Sequence, residues 1–217
     1  MNTDFIYDSP ISNWISNAID IVLLNLLFII CCMPIFTIGA SKVALYRGIE
    51  AMRLGEMHIY KRFFLAFRQS FAQSLCASSI DFFATALLIF DFILVLDWES
   101  PLKTVFLAGL VIMVVVWRLM MTYVYPQVAF YSNRLLQIYK NSMILSGRFI
   151  LFSVIMTVLD LLAFICLLMP PETLVYTAVI WVFGGFSIVT YLNGIVLKRF
   201  IFSKYDLSLA ENEGAKQ

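Results

Sequence analysis

Long apolar runs alternate along this chain with short segments in which charge returns. The runs cover 11–33, 69–96, 102–124, 149–169 and 173–196, each long enough to cross a hydrocarbon layer about 30 Å thick as a helix. Trp14 stands near the start of the first run as an interface anchor, and Pro34 closes it. The pattern predicts an all-α membrane protein of about five transmembrane helices with short amphipathic cytoplasmic helices. A single integral domain over 1–208 is followed by a polar C-terminal tail over 209–217.

The segments between the runs supply the rest of the plan. From Ser41 to Leu54, Val43, Leu45, Ile49 and Met52 are mixed with Lys42, Arg47, Glu50 and Arg53, a pattern that predicts a short amphipathic helix lying at the inner membrane surface and ending at Gly55. A second helix begins near Ile59 and is expected to run without a break into the next span. Asp97-Trp98-Glu99-Ser100-Pro101 forms an acidic turn. Between Tyr125 and Arg148 there are basic residues and no acid, and Leu135, Leu136, Ile138 and Tyr139 predict another surface helix. Pro170-Pro171-Glu172 leaves room only for a turn. Every Lys and Arg except Lys103 and Arg118 then falls in segments assigned to one side, so the N-terminus is expected outside and the C-terminus in the cytoplasm. A faint internal echo pairs Arg68-Gln69-Ser70 and Ser74 with Lys140-Asn141-Ser142 and Ser146.

Composition agrees with a bilayer setting. The chain is 62% hydrophobic and 13% charged, against about 45–50% and about 25% in ordinary globular domains. A net charge of +1 spread by topology gives no reason to expect nucleic acid as a partner. The cysteines at 31, 32, 76 and 166 lie in apolar runs without metal-ligand spacing and are expected to pack as small hydrophobes. The first residues lack the basic segment of a signal peptide, so the first run is expected to persist in the mature protein. No nucleophile elbow, phosphate loop or zinc motif occurs, and the lone His58 sits in a basic loop, so neither an enzyme nor a metal or other cofactor is expected.

The candidate chemistry lies within the spans. Helical rise places Asp81 and Asp160 about 17–18 Å from the inner ends of their runs, with Asp20 at a similar level from the outer end. Arg118 lies about 10 Å from the inner end of its own run, and is expected to pair with Asp81 or Asp160. These four residues form a candidate intramembrane polar cluster, either fixing helix register or lining a solute or proton path. Gly184-Gly185 is expected to allow close helix packing or a bend. A second candidate, the loop bearing Pro34, Thr37, Gly39, Lys42, Arg47 and Arg53, is a structural re-entry or a docking surface. In it, Pro34 stops the first helix, Thr37 is placed to cap the next and Gly39 to permit a turn.

The run from Pro34 to Tyr46, PIFTIGASKVALY, with Phe63 to Phe71, FFLAFRQSF, resembles the YesL family of bacterial membrane proteins. The likeness extends to Tyr125-Pro126-Gln127-Val128-Ala129 and Lys140-Asn141-Ser142. That family is largely uncharacterised and brings no catalytic residues. The resemblance implies a multi-pass protein of a bacterial cell membrane associated with carbohydrate uptake and utilisation. The resulting expectation is a non-enzymatic accessory or regulatory protein, partnered by the lipid bilayer and a membrane transporter or sensor. The alternative is a small-solute transporter using the carboxylate and arginine cluster.

Overall fold

A computed structural model describes residues 10–167 and 170–202; the expected tail at 209–217 lies outside the described residues. Those residues contain no strand. The helices are α1 (Pro10–Cys31), α2 (Ile38–Arg53), α3 (Ile59–Gln69), α4 (Phe71–Leu96), α5 (Lys103–Phe130), α6 (Leu135–Arg148), α7 (Ile150–Leu167), α8 (Pro171–Ile180) and α9 (Phe186–Val196). A wide π-helical turn at Trp181–Gly185 joins α8 and α9 into one continuous rod, and a second at Leu197–Phe202 extends it. Among the described residues, four segments are long and apolar enough to cross a membrane: Trp14–Cys31, Phe71–Leu96, Lys103–Phe130 and Tyr176–Phe202. A fifth is reached if α6 and α7, which meet at a bend of 108°, are taken together as one broken span.

Element ends depart from expectation for local reasons. Although the third span was expected to stop at Val124, α5 runs through Pro126 to Phe130. Nine consecutive residues there, Met121 to Ala129, are buried, and this packing holds a helix that proline alone would weaken. Pro171 opens α8 at its first position, where a missing N–H costs little. Nor does the helix from Ile59 continue unbroken: α3 ends at Gln69 and α4 starts after Ser70. Ile59, Phe63 and Ala66 are buried and recur at i, i+4, i+7, giving α3 the amphipathic stripe of a surface helix.

The largest difference concerns α2, which does not lie at a surface. It packs against α1, α3, α4, α5 and α9, and 11 of its 16 residues are buried. Small residues explain how so many neighbours approach one helix, since Gly39, Ala40, Ser41, Ala44, Gly48 and Ala51 leave its backbone accessible to packing. A Cβ added at Gly39 would stand 2.8 Å from the Ser74 carbonyl oxygen and 2.9 Å from Ser78 Cβ. Gly39 therefore permits close approach, not the turn expected of it. The turn belongs to Thr37, whose hydroxyl is shared between the carbonyls of Cys31 (2.5 Å) and Pro34 (2.6 Å) instead of capping α2. The only positive φ on the described chain is at Gly55, 71°, where α2 gives way to α3.

Asn25 explains the wide turn between α8 and α9. Its amide donates to the carbonyls of Trp181 (2.8 Å) and Val182 (2.7 Å) and accepts from the Ser187 N–H (3.0 Å). A π turn leaves backbone groups without their usual partners, and within a membrane these must be satisfied by protein. Gly184 faces α1, where an added Cβ would lie 3.6 Å from Ile21 Cγ2, an ordinary van der Waals contact.

The helices also repeat a local plan. Ile59-Tyr60-Lys61 recurs as Ile138-Tyr139-Lys140, Ser74 as Ser153 and Asp81 as Asp160, each 79 residues later. The break at Ser70 between α3 and α4 falls at the same separation from the break at Phe149 between α6 and α7. Backbone bonds match across it: Ser70 N–H to Ala66 O and Phe149 N–H to Leu145 O are both 3.0 Å, and Ser74 N–H to Ser70 O (2.8 Å) matches Ser153 N–H to Phe149 O (2.9 Å). In the same register α2 corresponds to the buried C-terminal half of α5, with Tyr46 matching Tyr125. The expected echo between Ser70 and Ser142 is thus about two helical turns out of this register.

Candidate functional site

Four charged side chains line one cavity of about 210 Å³ between α2, α4, α5, α7 and α9: Lys42, Asp81, Arg118 and Asp160. Lys42 Nζ lies 2.8 Å from Asp160 Oδ2 and 5.4 Å from the centre of the Tyr125 ring. Asn193 on α9 donates to the other oxygen of Asp160 at 3.1 Å. Asp160 is therefore held by lysine and amide together, so its charge is balanced and both oxygens are satisfied.

Asp81 is held differently. Its Oδ1 accepts from the Trp117 indole N–H at 3.0 Å and from Thr85 at 3.4 Å. Arg118 Nη1 stands 3.9 Å from Oδ2, within Coulombic reach and outside hydrogen-bond distance. Among the described residues the Arg118 guanidinium donates no hydrogen bond. Thr122 and Tyr125 from the next turns of α5, with Trp181 and Phe186, also line the cavity.

Of the residues expected to cluster, Asp81, Arg118 and Asp160 do meet in this cavity. Asp20 does not line it. The partner of Asp160 is Lys42, which the hydropathy pattern assigned to a surface loop. Trp117 and Asn193 were not anticipated; an indole or amide inside an apolar run, each with a polar handle requiring a partner, was the available signal.

The second candidate does not form one surface. Pro34 is exposed at the end of α1, Thr37 and Gly39 are buried, and Lys42 points into the cavity. Arg47 and Arg53 are exposed, lying 5.5 Å and 5.9 Å from the ring centres of Phe130 and Tyr191. Arg47 instead borders a polar cleft of about 490 Å³, with Glu50, Arg62, Gln73 and Asn133 among its walls. Glu50 pairs with Lys198, Gln73 donates to Asn133 O at 2.7 Å, and Arg62 grips Glu56 through contacts of 2.6 and 3.1 Å. Hydrogen bonding and charge from Glu56 hold the Arg62 pKa above its ordinary value. His58 is exposed, its ring edge-on to Tyr60 at 5.8 Å. Cys76 faces outward from α4 instead of packing. No group of three metal-ligating side chains occurs among the described residues.

A family model described as a protein of unknown function, DUF624, matches residues 21–92, from within α1 to near the end of α4. No curated protein and no solved structure matches the chain.

Proposed function

We propose that this is a non-enzymatic, YesL-like protein of a bacterial cell membrane that binds a small polar solute in its central cavity and passes it across the bilayer, in the service of carbohydrate uptake or utilisation. The observation that carries the reading is the convergence of Lys42, Asp81, Arg118 and Asp160 on one cavity. Each charge near a membrane centre costs about 2.5–3.5 kcal/mol on insertion scales, so such groups mark solute or proton paths or mutual pairing. Pairing alone requires no cavity between the pairs. Solute sites between repeated units near the membrane midplane are a common transporter plan, and the repeated α3–α4 and α6–α7 pattern supports it here. Purified protein in proteoliposomes should take up a labelled solute, with Asp160→Asn reducing uptake at least tenfold. Uptake unaffected by Asp160→Asn and by Arg118→Gln would overturn the reading.

The accessory role retains support from one feature, the polar cleft beside Arg47, which is large enough to receive a segment of a partner. Crosslinking from Arg47→Cys in intact membranes tests it. Capture of a permease together with absence of transport by the purified protein would favour this second reading.

A further inference from the structure

Asp81 and Asp160 occupy the same position of the repeated plan, yet their surroundings differ. Each carboxylate faces a cation from the other repeat: Lys42 of α2 reaches Asp160 of α7, and Arg118 of α5 faces Asp81 of α4. Tyrosines follow the same exchange, Tyr46 lying beside Asp160 and Tyr125 beside Asp81. The cations themselves are displaced by one helical turn. Lys42 corresponds to Met121, and Arg118 corresponds to Gly39. Positions three apart share a helix face, so both cations still reach the cavity. The displacement has a steric cause, because even a Cβ at position 39 would collide with Ser74 and Ser78. The first repeat therefore carries its cation at 42, where it closes on Asp160 at 2.8 Å, while the second carries its own at 118, which stops at 3.9 Å from Asp81.

We propose that this open half is the binding position: Arg118 seats the carboxylate of a small zwitterionic solute, and Asp81 receives its ammonium group. This rests on the solute-binding reading above and names the chemistry of the solute. A guanidinium presents five donors in a fork suited to a carboxylate, and that of Arg118 donates no hydrogen bond among the described residues, its ion pair with Asp81 standing at 3.9 Å. Trp117 and Thr85 both use Asp81 Oδ1, which leaves Oδ2 facing Arg118. Charge balance excludes a lone ion, and of the solutes it allows only a zwitterion offers Arg118 and Asp81 a charged partner each. The four side chains sum to zero, so a lone anion or cation would leave a net charge in the membrane core, whereas a zwitterion set between Arg118 and Asp81 keeps every charge paired. The Lys42–Asp160 half remains closed and holds the two repeats together.

The test measures melting temperature of the detergent-solubilised full chain with L-alanine, acetate, ethylammonium or glycerol. L-Alanine should raise it by a few degrees in a saturable manner, and the other three should not. Arg118→Lys should weaken the response about tenfold. The double variant Arg118→Gly with Met121→Lys rebuilds in the second repeat the arrangement of the first; it should fold, close on Asp81 and lose the response. A response to L-alanine that persists in that variant would overturn the assignment. A glycerol response shared by wild type and variant would leave solute binding intact while removing Arg118 as its seat, and no response to any of the four would count against both readings.

Discussion

Ser187 gives its backbone N–H to the side-chain oxygen of Asn25, 162 positions earlier, while the same amide donates to two carbonyls on the turn before it. One polar side chain in α1 thereby completes the backbone of the α8–α9 rod. Asn25→Leu removes all three bonds and adds no polar partner. The variant should lose about 2–3 kcal/mol of stability, taking bonds of roughly 1 kcal/mol each, read as earlier thermal unfolding in detergent. An unchanged melting temperature would show that the wide turn needs no such support.

The Lys42–Asp160 pair should behave as a buried charge pair. Asp160→Leu alone leaves an uncompensated lysine and should cost roughly 3 kcal/mol, while Lys42→Leu with Asp160→Leu should recover most of the loss. The same cycle on Arg118 and Asp81 should give a coupling below about 1 kcal/mol, because their contact is long and unbonded. Equal couplings at the two pairs would contradict the difference between 2.8 and 3.9 Å.

Two glycines of α2 should differ sharply in tolerance. At Gly39 an added methyl meets backbone oxygen and Ser78 Cβ, and Gly39→Ala should cost about 1–3 kcal/mol by overpacking. At Gly48 the nearest atom, 2.6 Å away, is the tip of Leu24. That side chain can rotate aside, so Gly48→Ala should cost less than Gly39→Ala. Equilibrium unfolding of the two variants decides the order.

Single cysteines test the sidedness that the basic residues predict. On a cysteine-free background, Met57→Cys and Leu136→Cys should react with an impermeant maleimide from the cytoplasmic side, and Trp98→Cys and Leu102→Cys from the outside. All four positions are exposed. Labelling of position 57 and position 98 from the same side would exclude the arrangement.

The spans were readable in the sequence because burial in lipid needs only a sustained apolar run, and a run is visible without knowledge of any contact. Asp81, Arg118 and Asp160 were readable for the converse reason, as charges interrupting such runs. The position of α2 was not. Lys42, Arg47, Glu50 and Arg53 have the spacing of a surface helix, and only a partner 118 positions away makes Lys42 an interior residue. The small residues at 39, 40, 44, 48 and 51 were the available sign of close packing, outweighed by the charges beside them. Asp20 differs from these: its spacing along the run suggested the same level, and it is not among the residues that line the cavity.

The distance between Lys42 and Asp160 along the chain also dictates an order of construction. At about 5–20 residues per second, synthesis leaves the lysine without its carboxylate for roughly 6–24 s. Through that interval α2 has neither its ion-pair partner nor its cover from α9, and the headgroup layer is where a helix carrying four charges is least costly. The amphipathic pattern suits this waiting position. On this account α2 reaches the centre only once α7 and α9 are made, so the same stretch of sequence would suit a half-made protein at the surface and a finished one in its core.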